Sequence, residues 1–226
     1  MVALNKTALQ EELFMKKIVL IGDSIRMGYD KYVRAALDGK AEVLFPEENS
    51  RFAEYVLRTV IDWKNNGKWG DDVDVVHWNA GLWDTLTLYE DGTLTPLNVY
   101  VDFIKRIHKR LTTLFPKAKL IFATSTPVLE DKYPDHKISV RYNADTRAFN
   151  AAAAAALTEL GEEINDLYSL VDGVPTDYYS DCTHLYTPEG TRLIGDRVLE
   201  VVCRAAEIEK PSAEVVYEAV KEIVGI

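Results

Sequence analysis

Short apolar runs alternate with longer amphipathic stretches along this chain. The runs with the length of a β-strand lie at 17–21, 41–45, 73–78, 118–125 and, more weakly, 162–166. The stretches with a helical period lie between them, at 29–38, 52–66, 97–115 and 143–160. Because each parallel strand needs a crossover connection back to the same edge of a sheet, this alternation predicts a parallel sheet with helices on both faces. Ligands of such sheets bind beyond the carboxyl ends of the strands.

The last part of the chain carries two further helix signals. Thr187 is followed by a proline and an amphipathic stretch, which predicts a helix that Thr187 caps. A final amphipathic stretch predicts an extra helix at about 211–225, which could pack on this domain or on a second copy of the chain. Since no repeat or linker interrupts the pattern, we expect a single domain over 1–226, and a homo-oligomer is compatible with it.

Composition narrows the classes of partner. The chain has 26 basic and 36 acidic residues, and its net charge of −10 repels nucleic acids and anionic membranes. No apolar run approaches the roughly 20 residues that a spanning helix needs, and Glu11 and Glu12 stand where a signal peptide would be apolar. We therefore expect a cytoplasmic protein. Only Cys182 and Cys203 are present, without the spacing of a disulfide framework or a zinc site.

The sequence Gly-Asp-Ser directly after the first predicted strand raises the question of what Ser24 does. A serine between a strand and a helix often caps the helix through its hydroxyl group. The alternative is a nucleophile, placed beside backbone N–H groups that could stabilise an oxyanion. A serine nucleophile needs a histidine base, which an acid in turn orients.

Of the four histidines, His184 is the best candidate for that base. His77 lies inside a predicted buried strand, His108 lies among basic residues on a predicted helix, and His136 lies in a polar loop. Asp181 precedes His184 by three residues, so one short segment can present an acid and a base on the same face. We therefore predict Asp181 and His184 as the partners of the serine.

These motifs together resemble those of the SGNH hydrolases, also called GDSL-type esterases and lipases. The segment IGDSI is similar to the first sequence block of that family, and DCTHLYTPEG is similar to the last. The resemblance extends over nearly all of the chain. It implies a flavodoxin-like three-layer α/β/α sandwich with a mainly parallel five-stranded sheet. It further implies Ser24 as nucleophile with Asp181 and His184, and neither a metal nor an organic cofactor.

The middle blocks of the family supply the remaining oxyanion donors, and here they match less well. The third block usually reads G-x-N-D, whereas this chain has Gly81 and Asp84 with Trp83 in the asparagine position. Trp83 could donate through its indole N–H group, or it could be a rim aromatic that shapes the pocket. Asn79, two residues before Gly81, could instead turn its amide into the site.

Three other polar residues are candidates for the site. Asn49 follows the second strand, where the family has a glycine donor, and could either donate to the oxyanion or form an Asx turn. Arg26 could reach the pocket mouth and favour an anionic or polyhydroxylated substrate, or it could be a solvated arginine of the first helical turn. Asp23 is expected to accept backbone N–H bonds and so to hold the nucleophile loop.

The sequence thus predicts a serine esterase for a small-molecule ester, with a short acyl group on a carbohydrate or another polar alcohol. The polar, turn-rich segments 90–96 and 129–137 are predicted as rim loops. The aromatic residues expected at the rim are Trp78, Trp83, Tyr133, Tyr142, Tyr178 and Tyr179. The rival hypothesis is a non-catalytic binding module, which the tryptophan in the third block favours.

Overall fold

The computed structural model describes residues 15–134 and 138–212. The strands in this part of the chain are β1 (Lys16–Ile21), β2 (Ala41–Leu44), β3 (Val75–Trp78), β4 (Thr87–Leu88), β5 (Lys119–Ala123), β6 (Ser139–Val140) and β7 (Glu163–Asn165). Five of them form one parallel sheet in the order β2-β1-β3-β5-β7. The chain order is reversed next to β1, so the carboxyl end of β1 lies at the switch point where ligands of such sheets bind.

Helices cover both faces of this sheet. They are α1 (Ser24–Ala36), α2 (Ala53–Gly67), α3 (Leu97–Leu114), α4 (Asn143–Thr158), α5 (Leu167–Val171) and α6 (Pro188–Ala206). Helices α1 and α6 pack together on one face, whereas α2, α3 and α4 pack in succession on the other. The predicted three-layer α/β/α sandwich is therefore confirmed.

The alternation of side chains in β1 divides the core into these two layers. Ile18 and Leu20 pack into the layer of α1 and α6, and Val19 and Ile21 pack into the opposite layer. All four side chains are fully buried, as expected for a central parallel strand. The position of β1 in the middle of the core gives the loop that follows it a rigid base.

His77 confirms the sequence interpretation of a packed histidine. It is fully buried in β3, and its Nε2 atom lies 3.0 Å from the Asn165 amide nitrogen. Burial lowers the pKa of His77 to about 3, so the ring stays neutral. This histidine therefore belongs to the core.

Helix α1 begins at Ser24, five residues before the predicted start at 29, because a side chain of the preceding loop caps it there. The predicted rim loops near 90 and 130 are joined by a short antiparallel ladder in which Thr87 pairs with Val140.

The predicted helix at 211–225 lies almost entirely outside the described residues. Within residues 15–134 and 138–212, no helix is long and apolar enough to cross a membrane.

Candidate active site

Ser24 is the first residue of helix α1, directly past the carboxyl end of β1. The helix cap is the residue before it, because Asp23 Oδ1 accepts a hydrogen bond from the Ile25 N–H group at 2.9 Å. The capping interpretation of the serine is therefore wrong. With Asp23 as the cap, the Ser24 hydroxyl group remains available for chemistry.

His184 and Asp181 lie in line with this hydroxyl group. The Nε2 atom of His184 is 2.8 Å from Ser24 Oγ, and its Nδ1 atom is 2.7 Å from Asp181 Oδ2. The Nδ1–H tautomer, which donates to the carboxylate, leaves Nε2 free to accept the serine proton. The structure thus brings together the three residues that the sequence predicted, although 160 positions separate the serine from the histidine.

The Asp181 carboxylate is held in its charged form. Burial opposes its ionisation, but hydrogen bonds from the His184 ring and from the N–H groups of Thr183 and His184 together lower the pKa of Asp181. The N–H groups lie 2.7 and 2.8 Å from Asp181 Oδ1, so the other oxygen is left for the imidazole. This carboxylate is therefore suited to orient the ring and to stabilise its protonated state.

Tyr186 joins the histidine loop to the serine, and the sequence interpretation missed it. Its hydroxyl group donates to the Ser24 carbonyl oxygen at 2.6 Å, and its ring lies 4.8 Å from the His184 ring between centroids. Thr187 then caps α6 through the Gly190 N–H group, as predicted. Because α6 packs on α1, the two helix starts hold base and nucleophile together.

The loop between β1 and α1 is closely packed against Asn79. A methyl group on Gly22 would lie 1.9 Å from the Asn79 Oδ1 atom, so only glycine fits there. Asn79 is buried, and its amide is a hydrogen-bond partner of Asp23. Burial nevertheless outweighs the hydrogen bonds of Asn79 and Ile25 and raises the pKa of Asp23. Asn79, whose amide was predicted as a possible oxyanion donor, thus packs against the nucleophile loop and supports it.

Known proteins that are similar to this chain are named as esterases, lipases or acylhydrolases. No family model matches the chain. It is 30% identical over 122 residues to GDSL esterase/lipase CPRD49 of Arabidopsis thaliana, a match that covers 50% of this chain and 47% of that protein. It is also similar to GDSL esterase/lipase WDL1 of Oryza sativa subsp. japonica, with 26% identity over 122 residues, so both curated relatives are named GDSL esterases/lipases. It spans about half the length of the curated relatives it matches.

Solved structures show the same fold at low sequence identity. A lipase/acylhydrolase from Enterococcus faecalis aligns with a TM-score of 0.66 at 17% sequence identity. The alignment covers 88% of this chain and 100% of that one. The acetyl xylan esterase AlAXEase aligns with a TM-score of 0.63 at 17% identity, over 82% of this chain and 99% of that one. The fold of these solved structures therefore extends over most of this chain.

The third GDSL block is rigid around its glycine. Gly81 has φ +146°, and a methyl group there would come within 2.9 Å of Ser125 Oγ and 3.0 Å of the Tyr100 hydroxyl. Both the backbone conformation and the lack of space require glycine. Gly81 thus fixes the course of the loop that faces the nucleophile.

Asp84 connects this block to helix α2. The fully buried carboxylate accepts a hydrogen bond from the Ala53 N–H group, at 3.0 Å from Oδ2, and one from the Thr95 hydroxyl at 2.8 Å. Burial raises the pKa of Asp84 to about 7 in spite of these hydrogen bonds. Its position inside the wall of the site indicates a structural role.

Trp83 is half-buried beside Arg141, whose Cζ atom lies 6.0 Å from the tryptophan ring centroid. Among the described residues the indole is in contact with a cation rather than in a polar network. Of the two sequence interpretations of Trp83, the rim aromatic agrees with this environment.

The second GDSL block contains a turn without a glycine. Asn49 Oδ1 accepts the Arg51 N–H group at 2.8 Å, which is the Asx turn considered as the alternative to an oxyanion donor. Arg51 adopts the left-handed conformation with φ 52°. Ser50 is buried, and its N–H group donates to the Gly22 carbonyl oxygen at 3.1 Å. This block therefore ties the rim to the nucleophile loop.

The prediction that Arg26 reaches the pocket mouth is wrong, and so is its solvated alternative. Only 1% of the side chain is exposed, because it forms an ion pair with buried Asp30 and donates to the Glu48 carbonyl oxygen at 2.6 Å. Arg26 instead fastens the loop after β2 to helix α1.

Two of the aromatic residues expected at the rim are also internal. Trp78 is fully buried, and its indole N–H group donates to Glu162. Tyr179 is buried, and its hydroxyl group donates to the Pro127 carbonyl oxygen.

Proposed function

We propose that this protein is a serine esterase that hydrolyses a carboxylic ester through Ser24, His184 and Asp181. The observation that carries the proposal is the continuous hydrogen-bonded line from Ser24 Oγ through the imidazole to the Asp181 carboxylate, with distances of 2.8 and 2.7 Å. Such a line is the geometric requirement for an activated serine. The close alignment favours turnover over the rival function of a binding module, which would not need it.

In the proposed reaction, His184 Nε2 accepts the Ser24 proton while Oγ attacks the ester carbonyl carbon. The Ser24 N–H group, which has no intrahelical acceptor at the start of α1, stabilises the oxyanion of the tetrahedral intermediate. The protonated imidazole then gives its proton to the leaving alcohol, and an acyl-enzyme remains. Water, deprotonated by the same imidazole, attacks the acyl carbon and releases the acid.

The proposed substrate is a short acyl group, such as acetate, on a carbohydrate or another small polar alcohol. Tyr133 and Tyr142 line a cavity of about 270 Å³ next to the histidine loop, and polar aromatic side chains suit the face and hydroxyl groups of a sugar ring. The structural neighbour named acetyl xylan esterase is compatible with this class.

Hydrolysis of 4-nitrophenyl acetate tests the proposed function. Ser24→Ala and His184→Ala are each expected to lower kcat by about 10⁴- to 10⁶-fold, since the two groups act as a unit. Ser169→Ala is the matched control, because the hydroxyl group of that exposed serine donates to Asp166 at the start of α5. Full activity of either active-site variant would contradict the mechanism.

Labelling with a fluorophosphonate separates the enzyme from the binding module. A serine esterase is expected to form a covalent adduct at Ser24, located by peptide mass spectrometry. Well-folded protein that takes up no label would favour the binding module.

A further inference from the structure

Arg141 lies beside Leu82 and Trp83, on the wall of the cleft that the third sequence block forms, and no sequence motif predicts it there. The antiparallel pairing of β4 with β6 brings the segment after Val140 back over this loop. There the Arg141 Nε–H group donates to the Leu82 carbonyl oxygen at 2.5 Å, and the guanidinium lies near the Trp83 ring. Nε is thus engaged by the protein, and Tyr133 is a further hydrogen-bond partner of the guanidinium, so the remaining Nη–H groups are the ones available to an anion.

The opposite wall of the cleft is also near this arginine. The Tyr133 hydroxyl group lies 3.2 Å from Thr183 Oγ1, and Thr183 directly precedes His184. Burial raises the pKa of Tyr133, whereas hydrogen bonds with Thr183 and Arg141 and the positive charge of Arg141 act to lower it. The same charge acts to lower the pKa of buried Asp23. The guanidinium is therefore close both to the histidine loop and to the nucleophile loop.

In the part of the chain that the structure describes, Arg141 forms no ion pair at contact distance. Among residues 15–134 and 138–212, no carboxylate lies within 4.0 Å of it. Two carboxylates do line the same cavity, but Glu130 accepts the Asn143 N–H group at 2.6 Å at the start of α4, and Asp131 is exposed to water. A guanidinium that is half-buried without a contacting anion in a cleft is a site for a ligand anion.

We propose that Arg141 is a specificity-determining residue that binds a carboxylate on the alcohol half of the ester, as in an acetylated uronic acid. The inference rests on the proposed esterase function and deepens it. The alcohol half is assigned because the leaving oxygen must receive its proton from His184, whose loop borders the Arg141 side of the cleft through Thr183 and Tyr133. The preference for an anionic substrate, which the sequence analysis attributed to Arg26, is thus assigned to Arg141.

The test compares two acetyl esters that differ in charge, acetylated methyl glucuronoside and acetylated methyl glucoside. Wild-type protein is expected to favour the glucuronoside in kcat/KM by about tenfold or more, since a charge-assisted hydrogen bond is worth at least that factor. Arg141→Gln is expected to bring the ratio close to unity, chiefly through KM for the glucuronoside. Arg141→Lys keeps the charge without the planar fork and is expected to retain part of the preference.

Arg58→Gln is the matched control, because it removes one positive charge from an exposed position on α2. It is expected to keep the wild-type ratio, and added salt is expected to lower the wild-type ratio but not that of Arg141→Gln. Equal kcat/KM values for both esters, or a preference that survives in Arg141→Gln, would overturn the inference. Failure of the proposed function is distinguishable, because then neither ester would be hydrolysed in a manner that depends on Ser24.

Discussion

The buried carboxyl group of Asp84 makes the stability of this protein depend on pH in a direction opposite to that of most ion-paired acids. Its pKa is raised by burial from an ordinary 3.8 to about 7 in the folded state. In the unfolded chain the group ionises at low pH, whereas in the folded protein it keeps its proton up to neutral pH. Stability from this group is therefore present at low pH and is lost as pH rises through about 7.

The magnitude follows from linkage. A difference between 3.8 and about 7 corresponds to about 4 kcal/mol in the limit of high and low pH. Between pH 5 and pH 8, the pKa difference of Asp84 lowers the free energy of unfolding by about 2.5 kcal/mol. The side chain in Asp84→Asn cannot ionise. Between pH 5 and pH 8 the free energy of unfolding of this variant is therefore expected to fall by about 2.5 kcal/mol less than that of the wild-type protein. Asparagine keeps an acceptor for the Ala53 N–H group and the Thr95 hydroxyl.

Urea unfolding at pH 5 and at pH 8 measures this difference. The quantity to compare is the change in the free energy of unfolding between the two pH values, because an unpartnered amide NH₂ group would lower stability equally at both. Asp102→Asn, at an exposed position on α3, is the control for loss of one carboxyl group. The reasoning is refuted when Asp84→Asn, Asp102→Asn and wild-type protein all change by the same amount.

Three further predictions follow from the site and its support. Asp181→Asn is expected to lower kcat about 10²- to 10⁴-fold with little change in KM, because His184 loses its orienting carboxylate; an unchanged kcat would contradict this. Gly22→Ala is expected to cost about 1–3 kcal/mol in thermal unfolding, because the methyl group would overlap Asn79; a wild-type Tm would show that the loop can move. Arg26→Met is expected to cost about 3–5 kcal/mol in urea unfolding, because it leaves a buried carboxylate unpaired, and a loss no larger than for an exposed ion pair would count against it.

The layers of the fold could be predicted from the sequence because their signals are local. Alternating burial along β1 and the helical period between the strands each report on a few neighbouring residues. The same holds for Asp181 and His184, whose spacing of three residues suffices for one turn to present both. The position of Ser24 followed from the end of a strand that was itself predictable.

The environment of Arg26 and the polar walls of the site depended on tertiary structure. Whether Arg26 or Arg141 faces the cleft is decided by partners distant in the chain, the Glu48 carbonyl oxygen for the first and the Leu82 carbonyl oxygen for the second. A long, charged side chain has no fixed environment until such backbone groups are brought to it. The sequence by itself therefore determined the sheet and the candidate triad, and the packing of the loops on one another decided which charges surround those residues.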